Sequence, residues 1–122
     1  MQIALKRVYD KTPAPKGYRV LVDRLWPRGI KKETLPLDEW SRDIAPSTDL
    51  RKWFHHDPAR WTMFRTRYMN ELKDKKDILE HLRQVAKKKP LVLLYSAKDE
   101  EKNQAVVIRD ALEHPAKQKP NR

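Results

Sequence analysis

An aspartate and two arginines follow a short apolar segment near the start of the chain. The apolar run 20–22 leads directly into Asp23 and Arg24, and residues 26–29, which include Arg28, then turn the chain. Short runs of this kind between turn residues are typical of buried strands. Charged residues that directly follow such a strand lie where open α/β sheets bind ligands. The segment therefore predicts a functional site and leaves its chemistry open.

The ends of two further predicted strands carry similar side chains. If the strands are parallel, the polar and aromatic residues at their carboxyl ends lie close together, and Asn103 at the start of the last helix joins them. The predicted site residues are Arg7, Tyr9, Asp23, Arg24, Trp26, Arg28, Ser96, Lys98, Asp99 and Asn103. Arginine holds a phosphate or carboxylate through paired hydrogen bonds, and the amides of a helix N-terminus add donors. The set predicts an anion-binding site in which Asp23 is a general base or hydrogen-bond acceptor. In the alternative interpretation, Asp23 only pairs with Arg7 or Arg24 to balance charge.

Signals for metals and cofactors are weak. In a helix, the adjacent side chains of His55, His56 and Asp57 would point apart, whereas a structural metal site needs about four converging ligands. Gly17 and Gly29 are the two glycines, and the chain contains no glycine-rich phosphate loop or dinucleotide motif. We therefore expect no metal and no cofactor.

The composition narrows the class of protein. The 122 residues are enough for one domain with a buried core, and the chain has no cysteine, which excludes disulfides, thiolate catalysis and cysteine-based zinc sites. No run approaches the roughly 18 apolar residues that span a bilayer. Residues 1–7 lack the apolar core of a signal peptide. We expect a cytoplasmic protein that has no contact with a membrane.

The net charge of +11 is distributed unevenly. Residues 1–32 hold nine lysines and arginines against two aspartates, so the excess is concentrated around the predicted site. Such a field attracts phosphates, carboxylates or the nucleic-acid backbone. Nucleic-acid binding through the basic N-terminal third, the helix near residues 73–89 and the tail is thus a second hypothesis, although no known nucleic-acid-binding motif supports it. A third is an interaction module without a ligand. The oligomeric state stays open.

Hydrophobic periodicity predicts a single α/β domain over residues 1–113, followed by a basic flexible tail at 114–122. Strands are expected near residues 3–8, 18–24 and 91–95. Helices are expected over 36–44, 47–54, 58–72, 78–86 and 105–112, with Ser47 as a capping residue. Because buried apolar strands joined through helices pair in parallel, we expect a small parallel sheet of at least three strands flanked by helices.

Four separated motifs resemble the YeaO-like proteins, the domain of unknown function family 488. They are Lys6-Arg-Val-Tyr-Asp10, Gly17-Tyr-Arg-Val-Leu-Val-Asp-Arg-Leu-Trp-Pro-Arg-Gly29, Ile44-Ala-Pro-Ser-Thr-Asp-Leu-Arg-Lys-Trp-Phe54 and Leu93-Leu-Tyr-Ser-Ala-Lys-Asp99. The resemblance covers about residues 3–112. It implies a compact cytoplasmic α/β domain and brings no established activity.

The resemblance also marks positions where this chain departs from its relatives. More distant members have an Asp-x-Arg signature after the second strand and a cysteine after the third. Asp23-Arg24 and Tyr95-Ser96 fall at about those places, so any thiol chemistry of those relatives does not carry over. Close relatives often have histidine before the asparagine of the last helix, where this chain has Lys102.

Overall fold

The protein is a four-stranded parallel sheet with helices on one face. The computed structural model describes residues 1–114, and the predicted tail lies outside the described residues except for His114. The strands are β1 (Ile3–Arg7), β2 (Tyr18–Leu21), β3 (Glu39–Trp40) and β4 (Leu91–Tyr95), in the spatial order β1-β4-β2-β3. All three pairings are parallel. The expected α/β class and the parallel sheet are therefore confirmed.

Four α-helices follow the predicted pattern closely in the part of the chain that is described. They are α1 (Thr48–Phe54), α2 (Trp61–Leu72), α3 (Lys76–Lys88) and α4 (Gln104–Glu113), and short 3-10 turns at Pro58–Arg60 and Lys73–Lys75 adjoin α2. The Ser47 hydroxyl accepts a hydrogen bond of 3.1 Å from the Leu50 amide, so Ser47 caps α1 as expected.

Alternating side chains of β4 divide the core into two layers. Leu91, Leu93 and Tyr95 join Val20 and the apolar faces of the four helices in the main cluster. Val92 and Leu94 point to the opposite face, where they meet Leu21 and a smaller cluster. That face is covered by the segment after β2, including Trp26 and Trp40, whose rings meet edge-to-face with centroids 5.4 Å apart. All five residues of β4 are buried, as its continuous apolar sequence predicts.

The predicted helix over residues 36–44 is wrong. Leu37, Trp40 and Ile44 keep helical spacing, but the segment forms the edge strand β3 between 3-10 turns at Lys32–Thr34 and Arg42–Ile44. The physical reason is that β2 offers an unpaired edge. The Asp38 amide donates to the Arg19 carbonyl at 2.9 Å, and the Arg19 amide donates to the Asp38 carboxylate at 2.8 Å. Sheet pairing therefore outweighs helical periodicity here.

Strand β2 is also shorter than predicted, since it ends at Leu21 instead of Arg24. The Val22 amide still donates to the Leu94 carbonyl at 3.0 Å, and the chain then leaves the sheet. This early exit turns Asp23 and Arg24 out of the ladder and toward the carboxyl end of the sheet. No helix among residues 1–114 is long and apolar enough to cross a membrane.

Candidate functional site

A cavity of about 940 Å³ opens at the carboxyl ends of β1, β2 and β4. The structure brings all ten sequence-predicted site residues to its walls. Twelve further residues complete the lining: Leu25, Pro27, Ala45, Pro46, Arg51, Phe54, His56, Pro58, Phe64, Ala97, Lys102 and Gln104. The cavity forms where it does because parallel strands present their carboxyl ends, and the loops that leave them, at one edge of the sheet.

Asp23 is the buried acceptor of this cavity. Its side chain is only 7% exposed, and one carboxylate oxygen accepts a hydrogen bond of 2.6 Å from the Gln104 amide on α4. Burial raises the pKa of Asp23, while hydrogen bonds from Ser96 and Gln104 and the nearby His56 oppose that rise. Among the described residues no cation forms an ion pair with Asp23. The alternative in which Asp23 merely neutralises Arg7 or Arg24 is therefore not what the structure shows.

Six cationic side chains line the same cavity: Arg7, Arg24, Arg28, Arg51, Lys98 and Lys102. Within residues 1–114 none of them pairs with a carboxylate, although ion pairs form elsewhere, such as Arg65 with Asp110 at 2.5 Å. Arg28 and Lys98 are exposed at the rim, whereas Arg7 and Arg24 are half-buried. The cavity thus combines a surplus of positive charge with one buried carboxylate, and its field favours anions.

The two half-buried arginines differ in how many donors they keep. The Nε–H of Arg7 donates to the Ala97 carbonyl at 2.9 Å. Both terminal nitrogens of Arg7 are left without a hydrogen-bond partner among the described residues. The Nε–H of Arg24 donates to the Pro46 carbonyl at 3.2 Å, and one terminal nitrogen donates to the Ala45 carbonyl at 3.0 Å. Arg7 can therefore hold an anion through two parallel hydrogen bonds from its two terminal nitrogens, while Arg24 keeps one terminal nitrogen without a hydrogen-bond partner among the described residues.

Four of the predicted residues shape the loops of the cavity. The Tyr9 hydroxyl donates to the Arg28 carbonyl at 2.6 Å, and the Trp26 indole donates to the Ile30 carbonyl at the same distance. Asp99 accepts hydrogen bonds from two amides of its own loop, which lower its pKa. The Asn103 side chain, 1% exposed, caps α4 by accepting from the Ala105 and Val106 amides. Two of the amides expected as anion donors at this helix start are consequently already bonded.

His56 and Gln104 are cavity residues that the sequence interpretation missed. His55 and His56 have φ values of 48° and 54°, the left-handed region that non-glycine residues seldom adopt. His55 ends α1 in this conformation, and the second left-handed residue turns the chain so that His56 lines the cavity. Asp57 then accepts from the Ala59 amide at 3.0 Å and begins the next helical turn. Pro58, which follows Asp57, also lines the cavity.

The described residues contain one group that could hold a metal ion, and it lies outside the cavity. Asp110, Glu113 and His114, at the end of α4, offer ligand atoms within 4.8 Å of one another. Asp110 already binds Arg65 at 2.5 Å.

Comparison with known proteins places the chain in a family. The family described as "Inactive DUF488-N3 subclade" matches residues 2–122. The uncharacterised protein YeaO of Escherichia coli K12 is 52% identical over 112 residues, which cover 92% of this chain and 97% of that protein. An uncharacterised protein of Mycobacterium tuberculosis H37Rv is 43% identical over 79 residues, 65% of this chain and 67% of that protein. No solved structure matches. The chain belongs to the YeaO-like DUF488 proteins, in the subclade described as inactive.

Proposed function

We propose that this protein binds a small molecule through a phosphate or carboxylate group in the cavity at the strand ends. The observation that carries the proposal is that Arg7 and Asp23 lie in one cavity and do not form an ion pair with each other. Opposite charges that served only stability would neutralise one another, because an isolated buried carboxylate is costly. A negatively charged ligand would give Arg7 the partner that the described residues do not supply.

We infer that the activity is binding and not turnover. The family description calls this subclade inactive, and the chain has no cysteine that could act as a nucleophile. Ser96, which follows β4, lies beside Asp23, whose oxygen is occupied by Gln104. A candidate general base already held by an amide donor is better suited to accept a hydrogen bond from a ligand than to remove a proton.

The size of the cavity indicates a ligand larger than the anionic group alone. Small-molecule sites have volumes of roughly 300–1,000 Å³, and this cavity reaches about 940 Å³. Apolar side chains also line it, and Leu25 (62% exposed) and Tyr9 (36% exposed) are large hydrophobic residues at its mouth. The ligand would place its anionic group against Arg7 and a less polar body against these side chains.

A pair of double variants tests the proposal. Arg7→Gln with Lys98→Gln removes two charges from the cavity, whereas Lys87→Gln with Lys88→Gln removes two exposed charges from α3. Titration calorimetry with inorganic phosphate and with a phosphomonoester should detect binding to the wild type. Since a charge-assisted hydrogen bond contributes about 1.5–3 kcal/mol, the cavity variant should bind at least tenfold more weakly. The α3 variant should bind like the wild type.

The same variants distinguish the nucleic-acid hypothesis. Binding driven by total charge would weaken to the same extent in both double variants. The logarithm of the association constant would fall linearly with the logarithm of the salt concentration, with a slope of about −0.9 per duplex phosphate neutralised. A DNA duplex that binds tightly with this salt dependence, together with no binding of phosphate by the wild type, would overturn the proposal. Equal loss of phosphate binding in the two double variants would overturn it as well.

A further inference from the structure

The cavity offers an anion many donors and one buried acceptor. Two carboxylates line it, and Asp99 uses one oxygen on the loop amides of Glu101 and Lys102, at 2.9 and 3.0 Å. Asp23 differs, because it is 7% exposed and takes its donors from outside its own loop, the Gln104 amide at 2.6 Å and Ser96. A ligand that occupies the cavity shares it with both Arg7 and the Asp23 carboxylate.

This arrangement distinguishes anions by the hydrogen atoms they carry. A fully deprotonated oxyanion has only acceptor oxygens, so it would face the Asp23 carboxylate with acceptor against acceptor and like charge against like charge. A carboxylate has about four acceptor sites, and those that Gln104 and Ser96 leave would lose water without gaining a donor when such an anion displaces it. An oxyanion that keeps one proton donates it to Asp23 and removes both penalties. Sites built to receive a hydrogen bond reject the analogue that lacks the donor most strongly.

We propose that Asp23 selects for oxyanions that carry a proton, so that the cavity binds hydrogen phosphate and phosphomonoesters and rejects sulfate. The inference rests on the proposed anion-binding function and specifies its ligand class. Hydrogen phosphate and sulfate have similar size and shape and the same charge near pH 7.5, and they differ in the single proton that phosphate retains. No bond to oxygen or phosphorus is broken, and the proton stays shared between ligand and carboxylate.

The groups around Asp23 come from four elements and determine its response to pH. Arg24 follows it in the chain, His56 lies after α1, Ser96 follows β4 and Gln104 belongs to α4. Tyr68 on α2 also feels the charge of Asp23. Burial raises the pKa of Asp23. Once Asp23 gains a proton it becomes a donor, so sulfate should bind more tightly as pH falls.

The test compares two anions on three proteins. Dissociation constants for inorganic phosphate and sulfate are measured at pH 7.5 and constant ionic strength on the wild type, Asp23→Asn and Asp77→Asn. The wild type should prefer phosphate by at least tenfold. In Asp23→Asn the amide can donate to either anion, so sulfate should gain and the preference should fall below about threefold. Asp77→Asn changes net charge equally and should keep the wild-type preference, because Asp77 is exposed on α3, outside the cavity.

Each result has a defined meaning. If the wild type binds both anions equally, the selection by Asp23 is wrong and the anion site stands. If it binds neither, the proposed function fails too. If both asparagine variants lose the preference equally, total charge and not Asp23 is responsible. Should Asp23→Asn fail to fold, Asp23→Ser gives the same comparison, because its hydroxyl can donate to either anion. A preference kept at the wild-type level in that variant would overturn the inference.

Discussion

Gly17 and Gly29 form a natural pair for testing the packing between β2 and β4. Gly17 precedes β2 with φ +150°, and an added Cβ would lie 2.4 Å from the Pro90 carbonyl oxygen. That oxygen also accepts the Tyr18 amide at 2.8 Å, the first hydrogen bond between the two strands. Gly29, in the loop beside the cavity, has φ +78° and nothing within 4 Å of an added Cβ.

Alanine substitutions at the two positions should therefore lower the free energy of unfolding by different amounts. Both substitutions place a side chain where φ is positive, which costs about 1–2 kcal/mol, partly offset by about 0.4–1 kcal/mol because the unfolded chain loses freedom. Gly17→Ala must also move strand backbone, and such overpacking costs about 1–3 kcal/mol more. The obstacle is a backbone carbonyl and not a flexible side chain. We therefore expect the free energy of unfolding to fall by about 3 kcal/mol for Gly17→Ala and by about 1 kcal/mol for Gly29→Ala.

Urea unfolding at pH 7, followed by circular dichroism, measures both free energies of unfolding. A difference of about 2 kcal/mol corresponds to about 8 °C in Tm for a domain of this size. Differences below about 0.5 kcal/mol between the two variants would refute the close approach of Gly17 to Pro90. A greater loss for Gly29→Ala would show that the cavity loop, and not the strand contact, is the sensitive position.

Four further substitutions test the core, a helix cap, a surface carboxylate and the site. Tyr68→Phe should lower the free energy of unfolding by about 1–2 kcal/mol, measured in urea, because the fully buried hydroxyl donates to the Ile44 carbonyl at 2.6 Å. Asn103→Ala should cost about 2 kcal/mol in the same assay, since it removes a buried cap that binds two amides of α4. The two aspartates should respond to pH with opposite signs. The Thr12 amide and Lys6 lower the pKa of Asp10 from 3.8 to about 2, so Asp10→Asn should destabilise at pH 7 and the loss should vanish between about pH 4 and 2. Burial raises the pKa of Asp23, so Asp23→Asn should stabilise at pH 7 and the gain should vanish as the pH falls toward 3.8, which unfolding curves across this range would show.

The helices and main strands could be predicted because their signals are local. Ser47, Asp57 and Asn103 mark helix starts with side chains that accept from nearby amides, and the apolar run of β4 has no competing period. Strand β3 could not be predicted in this way. Two residues are too few to show alternation, and their pairing depends on the edge of β2, which lies more than 15 residues away in the chain.

The residues around the cavity were predictable as a group, whereas their individual roles were not. Parallel pairing alone brings the strand ends together, and that rule needs only the positions of the strands. The number of donors left on Arg24 depends on the Ala45 and Pro46 carbonyls, which arrive from a segment predicted as helix. Gln104 directly follows the capping residue Asn103, but its hydrogen bond to Asp23 joins residues 81 positions apart. Contacts of that kind follow from the tertiary fold and not from local pattern.

The unfavourable features of this molecule are concentrated at one place. Backbone in the left-handed region costs about 1–3 kcal/mol per non-glycine residue, and within residues 1–114 His55 and His56 are the two such positions. Asp23, the buried carboxylate without a described ion pair, lies in the cavity that His56 lines. Structural needs alone would spread such costs over the fold, because each loop has its own requirements. Their coincidence around one cationic cavity supports the proposed binding function, in which a ligand supplies the negative charge that the described residues leave unmatched.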